Sequence, residues 1–171
     1  MAALLDAAGY GGDVRAAAGR WRAERLVPRK SVKALADAFI AQLDADTARH
    51  LLPHLPASFH GVPRANVAFL PIENAWFSGS MNYLGRARRA DGSPEYEATY
   101  ELNASLEISV PEFVQLVAHE VVPGHVTTFA CLQHLYWTGE FGFEAPVPTT
   151  TTRAATLAEG IANNAILLAR D

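Results

Sequence analysis

The chain has 171 residues, 50% of them hydrophobic, with a net charge of −4 and a pI near 5.8. That size suits a single domain with a core of its own, and the acidic balance excludes a dedicated nucleic-acid or anionic-membrane binder. One cysteine, Cys131, excludes an internal disulfide framework and fits a reducing, cytoplasmic compartment; no apolar run reaches bilayer-spanning length, and the start lacks the basic region of a secretory signal.

Residues 1–65 read as a helical support region. Met1 to about Arg25 is Ala-rich and helix-prone, interrupted by Gly9, Gly11 and Gly12, with Asp13 placed to cap a second helix. Seven of the 14 basic residues lie between Arg15 and Lys33. With no aromatic ladder between them they read as a solvated helix surface and not as an anion-binding face. Ser31 offers a cap for a helix whose Val32, Leu35, Phe39 and Leu43 recur at helical spacing. From Pro53 to Pro63 the chain is turn-rich, and His54 and His60 read as loop histidines because nothing near them supplies partners at metal spacing.

Residues 66–104 change the hydrophobic period to two. Val67 and Phe69, then Trp76 to Leu84, read as strands. Tyr96, Ala98, Tyr100 and Leu102 alternate with Glu97, Thr99, Glu101 and Asn103, as in a half-buried strand. Asp91-Gly92 is a turn signal inside Arg86 to Pro94, so the last two strands form a long-looped hairpin. The expectation is a small antiparallel sheet preceding the metal-binding helix. Ser78 to Tyr83 is its candidate edge, where small residues let an extended peptide approach as an added strand; the glycine there is alternatively the mark of a bulge.

Residues 109–171 carry the metal-site helices. Ser109 and Glu112 spell a capping box and Pro111 fits a first helical turn. Phe113, Leu116, Val117 and Glu120 follow at helical spacing. Downstream, Phe129, Leu132 and Tyr136 continue an apolar face, with Cys131 buried and inert. The stretch 139–152, with its run of four threonines, reads as a solvated connector or a lid. Thr152 caps a last helix running from Arg153 to Leu168.

The chemistry centres on L-V-A-H-E-V-V-P-G-H-V-T-T-F, residues 116–129. In H-E-x-x-H the two His lie four residues apart, about 40° and 6 Å on a helix, so both rings reach one ion. His119 and His125 are six apart, which an unbroken helix would separate by about 120° and 9 Å. Pro123-Gly124 supplies the remedy: proline lacks an N–H and clashes with the carbonyl four residues back, and glycine takes angles closed to other residues. A local bulge or kink then swings His125 back onto the face of His119. The alternative is one helix ending at Val122 and another starting after Gly124, with two unrelated His. Glu159, with Gly160 beside it to permit close helix approach, supplies a third ligand and leaves a fourth position to water. Asn163, one turn on, and Asn82, Tyr83 and Tyr100 are candidate supporting or substrate contacts. His134, nine residues beyond His125, should point away from the metal.

H-E-V-V-P-G-H followed by an E-G-I-A helix resembles the bacterial zincin-like family filed as domain of unknown function eight-eight-five, whose pattern is H-E-x-x-P-G-H-H with a later E-G-W-A helix. Here Val126 and Ile161 stand at the second His and the aromatic. The resemblance implies a mainly α (α+β) metallopeptidase-like protein, with His119, His125 and Glu159 as ligands and Glu120 as base. Its members are much longer chains, and no Gly or Pro stop signal precedes Arg170-Asp171, so residues 1–171 are expected to form a single zincin-like catalytic domain within a longer protein.

The expected function is zinc-dependent hydrolysis of a peptide bond or small amide through a zinc-activated water, with Glu120 as general base. Two other classes stay open: a zinc-binding module without activity, and a helical interaction protein whose His and Glu hold no metal. Partners beyond the substrate are expected to include neither nucleic acid nor membrane, and the sequence sets no oligomeric state.

Overall fold

The computed structural model describes residues 1–144, 146–147 and 151–170. The fold is mainly α (α+β): seven helices and one three-stranded sheet among the described residues. Helices α1 (Ala2–Ala7) and α2 (Val14–Ala23) come first. The Asp13 side chain accepts the Ala16 N–H, the cap its position predicts. The long α3 (Val32–His50) follows a single 3-10 turn, and Ser31 precedes it without making a side-chain cap bond.

Strands β1 (Val67–Ile72), β2 (Gly79–Tyr83) and β3 (Ala98–Asn103) form a sheet in the order β1-β3-β2. β2 and β3 pair antiparallel, with Met81 opposite Tyr100, as a long-looped hairpin requires. β1, however, runs parallel to β3, with Phe69 opposite Tyr100, so the sheet is mixed and not antiparallel. Period-two patterning sets which face each residue presents but not which strand lies beside which. The long connection after β2 lets β3 insert between the two earlier strands. Both β1 and β2 are therefore edges. Pro71 lies in β1, where an edge tolerates a residue without an N–H; β2 has no proline.

Helix α4 (Val110–Glu120) crosses the inner face of the sheet. Its start is fixed three ways. Glu112 Oε2 accepts the Ser109 N–H at 2.8 Å and hydroxyl at 2.9 Å, completing the capping box. The Arg22 guanidinium grips Glu112 through Nε at 2.9 and 3.0 Å, and the Val110 N–H donates to the Arg25 carbonyl at 2.8 Å. Phe113 and Val117 are fully buried between the sheet residues Phe69, Tyr100 and Leu102 and the α3 residues Ala36, Phe39 and Leu43. Phe39 meets Phe113 edge-on at 5.5 Å. Burial of side chains of this size contributes about 1.5–3 kcal/mol each, so α4 is anchored along its whole length. Helices α5 (His125–Trp137), α6 (Arg153–Asn163) and α7 (Ala165–Ala169) complete the chain, and α7 docks on α3 and α4 through Ala165 and Ala169. The last helix expected from Arg153 to Leu168 is thus interrupted at Asn164, whose side chain turns back to the Gly160 carbonyl at 2.8 Å. The connector or lid expected at 139–152 falls partly outside the described residues. No described helix is long and apolar enough to cross a membrane.

Candidate metal centre

His119 occupies the last turn of α4, Glu120 is its final residue, and His125 opens α5. Between them the chain does not bulge within one helix; it breaks and starts a second one, through a cis Val122–Pro123 bond. The break nonetheless folds α5 back against α4. The Gly124 N–H donates to the Ala118 carbonyl at 3.0 Å and the Thr127 N–H to the Val121 carbonyl at 3.2 Å. The Thr127 hydroxyl also donates to the Arg64 carbonyl at 2.9 Å. A β-carbon on residue 124 would lie 1.8 Å from the His119 carbonyl oxygen and 2.4 Å from that of Ala118, so only glycine admits this approach. The two imidazoles end 4.8 Å apart between ring centres, at 87°.

Glu159 reaches them from α6. One carboxylate oxygen is 3.4 Å from His119 Nε2 and the other 3.2 Å from His125 Nε2. One donor atom from each of the three residues falls within 4.8 Å of the others. The orientation of α6 comes from its ends: the Thr152 hydroxyl caps it by accepting the Ala155 N–H at 3.1 Å, and Gln115 Nε2 on α4 donates to the Asn163 carbonyl at 3.2 Å. Gly160 plays no part in close helix approach, since nothing lies within 4 Å of where its β-carbon would be.

Electrostatics suit the cluster to a cation. Burial pushes the His125 imidazole below the ordinary histidine range, against the pull of the Glu159 carboxylate, and His119 pushes it further down. A neutral ring presents a lone pair as well as an N–H. Glu120 is 9% exposed. Burial, reinforced by the negative charge of Glu159, raises its carboxyl to about 7, and the Met81 backbone amide pulls the other way. A carboxyl poised there both takes and returns a proton near neutral pH.

The remaining residues singled out in the sequence divide. Asn163 lines a cleft of about 410 Å³ with His119 and Glu120. Tyr83 lies deeper, its hydroxyl donating to Gln133 and its ring packed on Phe129, which stacks on His125. Tyr100 is fully buried beside Met81 on the neighbouring strand, its hydroxyl without a partner; burial, and after it the charge of Glu120, raises it above the ordinary tyrosine range. Asn82 is exposed, alternates onto the sheet face opposite to the one on which Gly79 meets Leu116 of α4, and is not among the residues that line the cleft. His134 Nδ1 lies 3.2 Å from the Tyr96 hydroxyl, in a separate cluster with Phe59. Cys131, in that same cluster, is pushed up to about 11 by burial and is inert as a nucleophile. His60 closes on the Leu55 carbonyl within its own loop.

Ser78, Gln115 and Leu116 also line the cleft; the sequence places Ser78 on the candidate edge and Leu116 on the apolar stripe, and gives Gln115 no role. Gln115 and Leu116 precede His119 by four and three residues, so helical spacing alone puts them on its face. Ser78 carries no such signal: it is held by pairing with Asn103, whose N–H donates to the Ser78 carbonyl at 2.9 Å and whose side-chain amide holds the Ala75 carbonyl at 2.7 Å.

Comparison of the chain with protein-family models, curated proteins and solved structures finds no match.

Proposed function

We propose that this protein is a zinc-dependent hydrolase of peptide bonds or small amides, with His119, His125 and Glu159 as metal ligands and Glu120 as general base. One observation carries the reading: the Glu159 oxygens lie 3.4 and 3.2 Å from the two imidazole Nε2 atoms. Two bonds of about 2.0–2.2 Å at a tetrahedral angle enclose a separation of about 3.3–3.5 Å. An ion pair between Glu159 and protonated imidazoles would give similar distances, but burial disfavours the charged form of His125. The resemblance of H-E-V-V-P-G-H and E-G-I-A to the zincin-like family agrees with this ligand set.

A zinc ion held there would supply Lewis acidity and an easily deprotonated water. The protein's own contribution is positional. Glu120 follows His119 by one residue, about 100° around the helix, which sets it beside the ligands and outside their number. Its carboxylate takes the water's proton and delivers it to the leaving amine. Glu120 and His125 are buried, while Glu159, 57% exposed, opens the site to solvent.

Metal analysis of protein purified without added zinc tests the reading. About one zinc per chain is expected, lost in His119→Ala and in His125→Ala, with peptide hydrolysis abolished by a chelator and restored by zinc. Bound zinc without hydrolysis would support a zinc-binding module; wild-type zinc content in both variants would remove the site.

A further inference from the structure

We infer that α6 is a metal-coupled latch: a cation shared by Glu159 and the two imidazoles seats it on α4 and α5, and without one it opens independently of the rest of the fold. The latch rests on the ligand set proposed above and adds to it the order in which the site assembles.

The helices around the site are held unequally. Phe113 and Val117 anchor α4, Val126 and Ala130 anchor α5, and Ala165 and Ala169 seat α7, all fully buried. Over its 11 residues α6 buries one, Ala162. A single methyl group removes far less apolar area from water than the phenylalanine and valine of α4 do. The other apolar side chains of α6 do not make up the difference: Ile161 is half-buried and Leu157 is 66% exposed.

Polar ties are as sparse. Among the described residues two kinds join α6 to α4 and α5. Gln115 Nε2 donates to the Asn163 carbonyl at 3.2 Å, and the Glu159 carboxylate meets His119 and His125. Glu159 is more than half exposed, and an ion pair that open to water contributes little by itself. The negative charge of Glu159 also acts on Glu120, so seating α6 without a cation brings two carboxylates toward one another. A cation between Glu159 and the rings reverses that balance and ties α6 to both neighbours at once.

The pivot is Asn164. There α6 ends and α7 begins, and α7 keeps its own buried contacts when α6 opens. Asn163, the last residue of α6, lines the cleft with His119 and Glu120. Seating α6 therefore completes the ligand set and the cleft wall together, so the space for substrate closes only around a loaded site.

Hydrogen–deuterium exchange on the full chain, with and without zinc and with zinc content measured on the same samples, tests the latch. Without zinc, the amides of 157–163 are expected to exchange at least about tenfold faster than those of 114–120, and zinc is expected to slow them at least about tenfold. Glu159→Gln keeps the size of the side chain and removes its charge, and should reduce that slowing to less than about threefold. Gln115→Ala should speed exchange in α6 of the zinc-free protein and leave the response to zinc in place. Exchange in zinc-free α6 as slow as in α4 would overturn the latch. So would fast exchange in α6 that zinc leaves unchanged in protein holding one zinc per chain, and in that case the hydrolase reading stands. Protein that holds no zinc removes the ligand set, and the latch with it.

Discussion

Gly124 has no room for a β-carbon because the His119 carbonyl oxygen would stand 1.8 Å from it. The contact joins the end of α4 to the start of α5, so it sets the distance between the two imidazoles. Gly124→Ala must push α5 away, at a cost of about 1–3 kcal/mol or more. With the fold retained by circular dichroism, zinc affinity is expected to fall at least about tenfold, since ligand positioning alone has effects of that size. Unchanged zinc affinity in a folded variant would separate the glycine from the site.

Helix α4 was largely legible in the sequence. Ser109, Pro111 and Glu112 fix its start, and its apolar stripe fixes the buried face, because caps and periodicity are local properties. The convergence of His119 and His125 was legible as chemistry but not as backbone. Pro123-Gly124 signals that helical phase is lost; whether the chain bulges or breaks depends on carbonyls of Ala118 and Val121, which accept from residues six positions on. The direction of β1 was not legible at all. Alternation assigns faces, and the neighbour of β1 is decided by a long loop with no period of its own.

Glu120→Gln separates ligation from proton transfer. The amide keeps the shape of the carboxyl and cannot accept the proton, so zinc content should stay at the wild-type level while kcat for peptide hydrolysis drops by a factor of about 10²–10⁴. Loss of zinc from this variant would make Glu120 a ligand.

Glu112 gives a pH dependence of stability. Burial draws its carboxyl up, but the Arg22 guanidinium and the Ser109 N–H and hydroxyl together hold it below the ordinary carboxylate range. A carboxyl depressed in the folded state contributes stability that is present above the unfolded value and is lost as pH falls through the lowered one. Glu112→Gln is expected to melt about 2–4 °C below wild type at pH 7, and the two melting curves should converge in acid. A gap that persists undiminished at low pH would assign the difference to packing at the start of α4 and not to charge.

Glu159 and His134 are the two residues after His125 best equipped to complete the ligand set, and the structure places them apart. His134 Nδ1 sits 3.2 Å from the Tyr96 hydroxyl, with Phe59 against its ring, on the far run of α5. Glu159 presents both oxygens to the two imidazoles from a helix tied to α4 through Gln115 and the Asn163 carbonyl. Removing a direct ligand costs more than the roughly 10–100-fold that loss of a supporting partner does. Glu159→Ala should therefore lower zinc affinity at least about 100-fold, and His134→Ala should leave it within about twofold while losing its contact with Tyr96. Competition against a chromophoric chelator measures both. Retained affinity in Glu159→Ala together with loss in His134→Ala would reverse the assignment, and would require α5 to turn by a large part of a full rotation from where its contacts with Tyr96 and Phe59 now hold it.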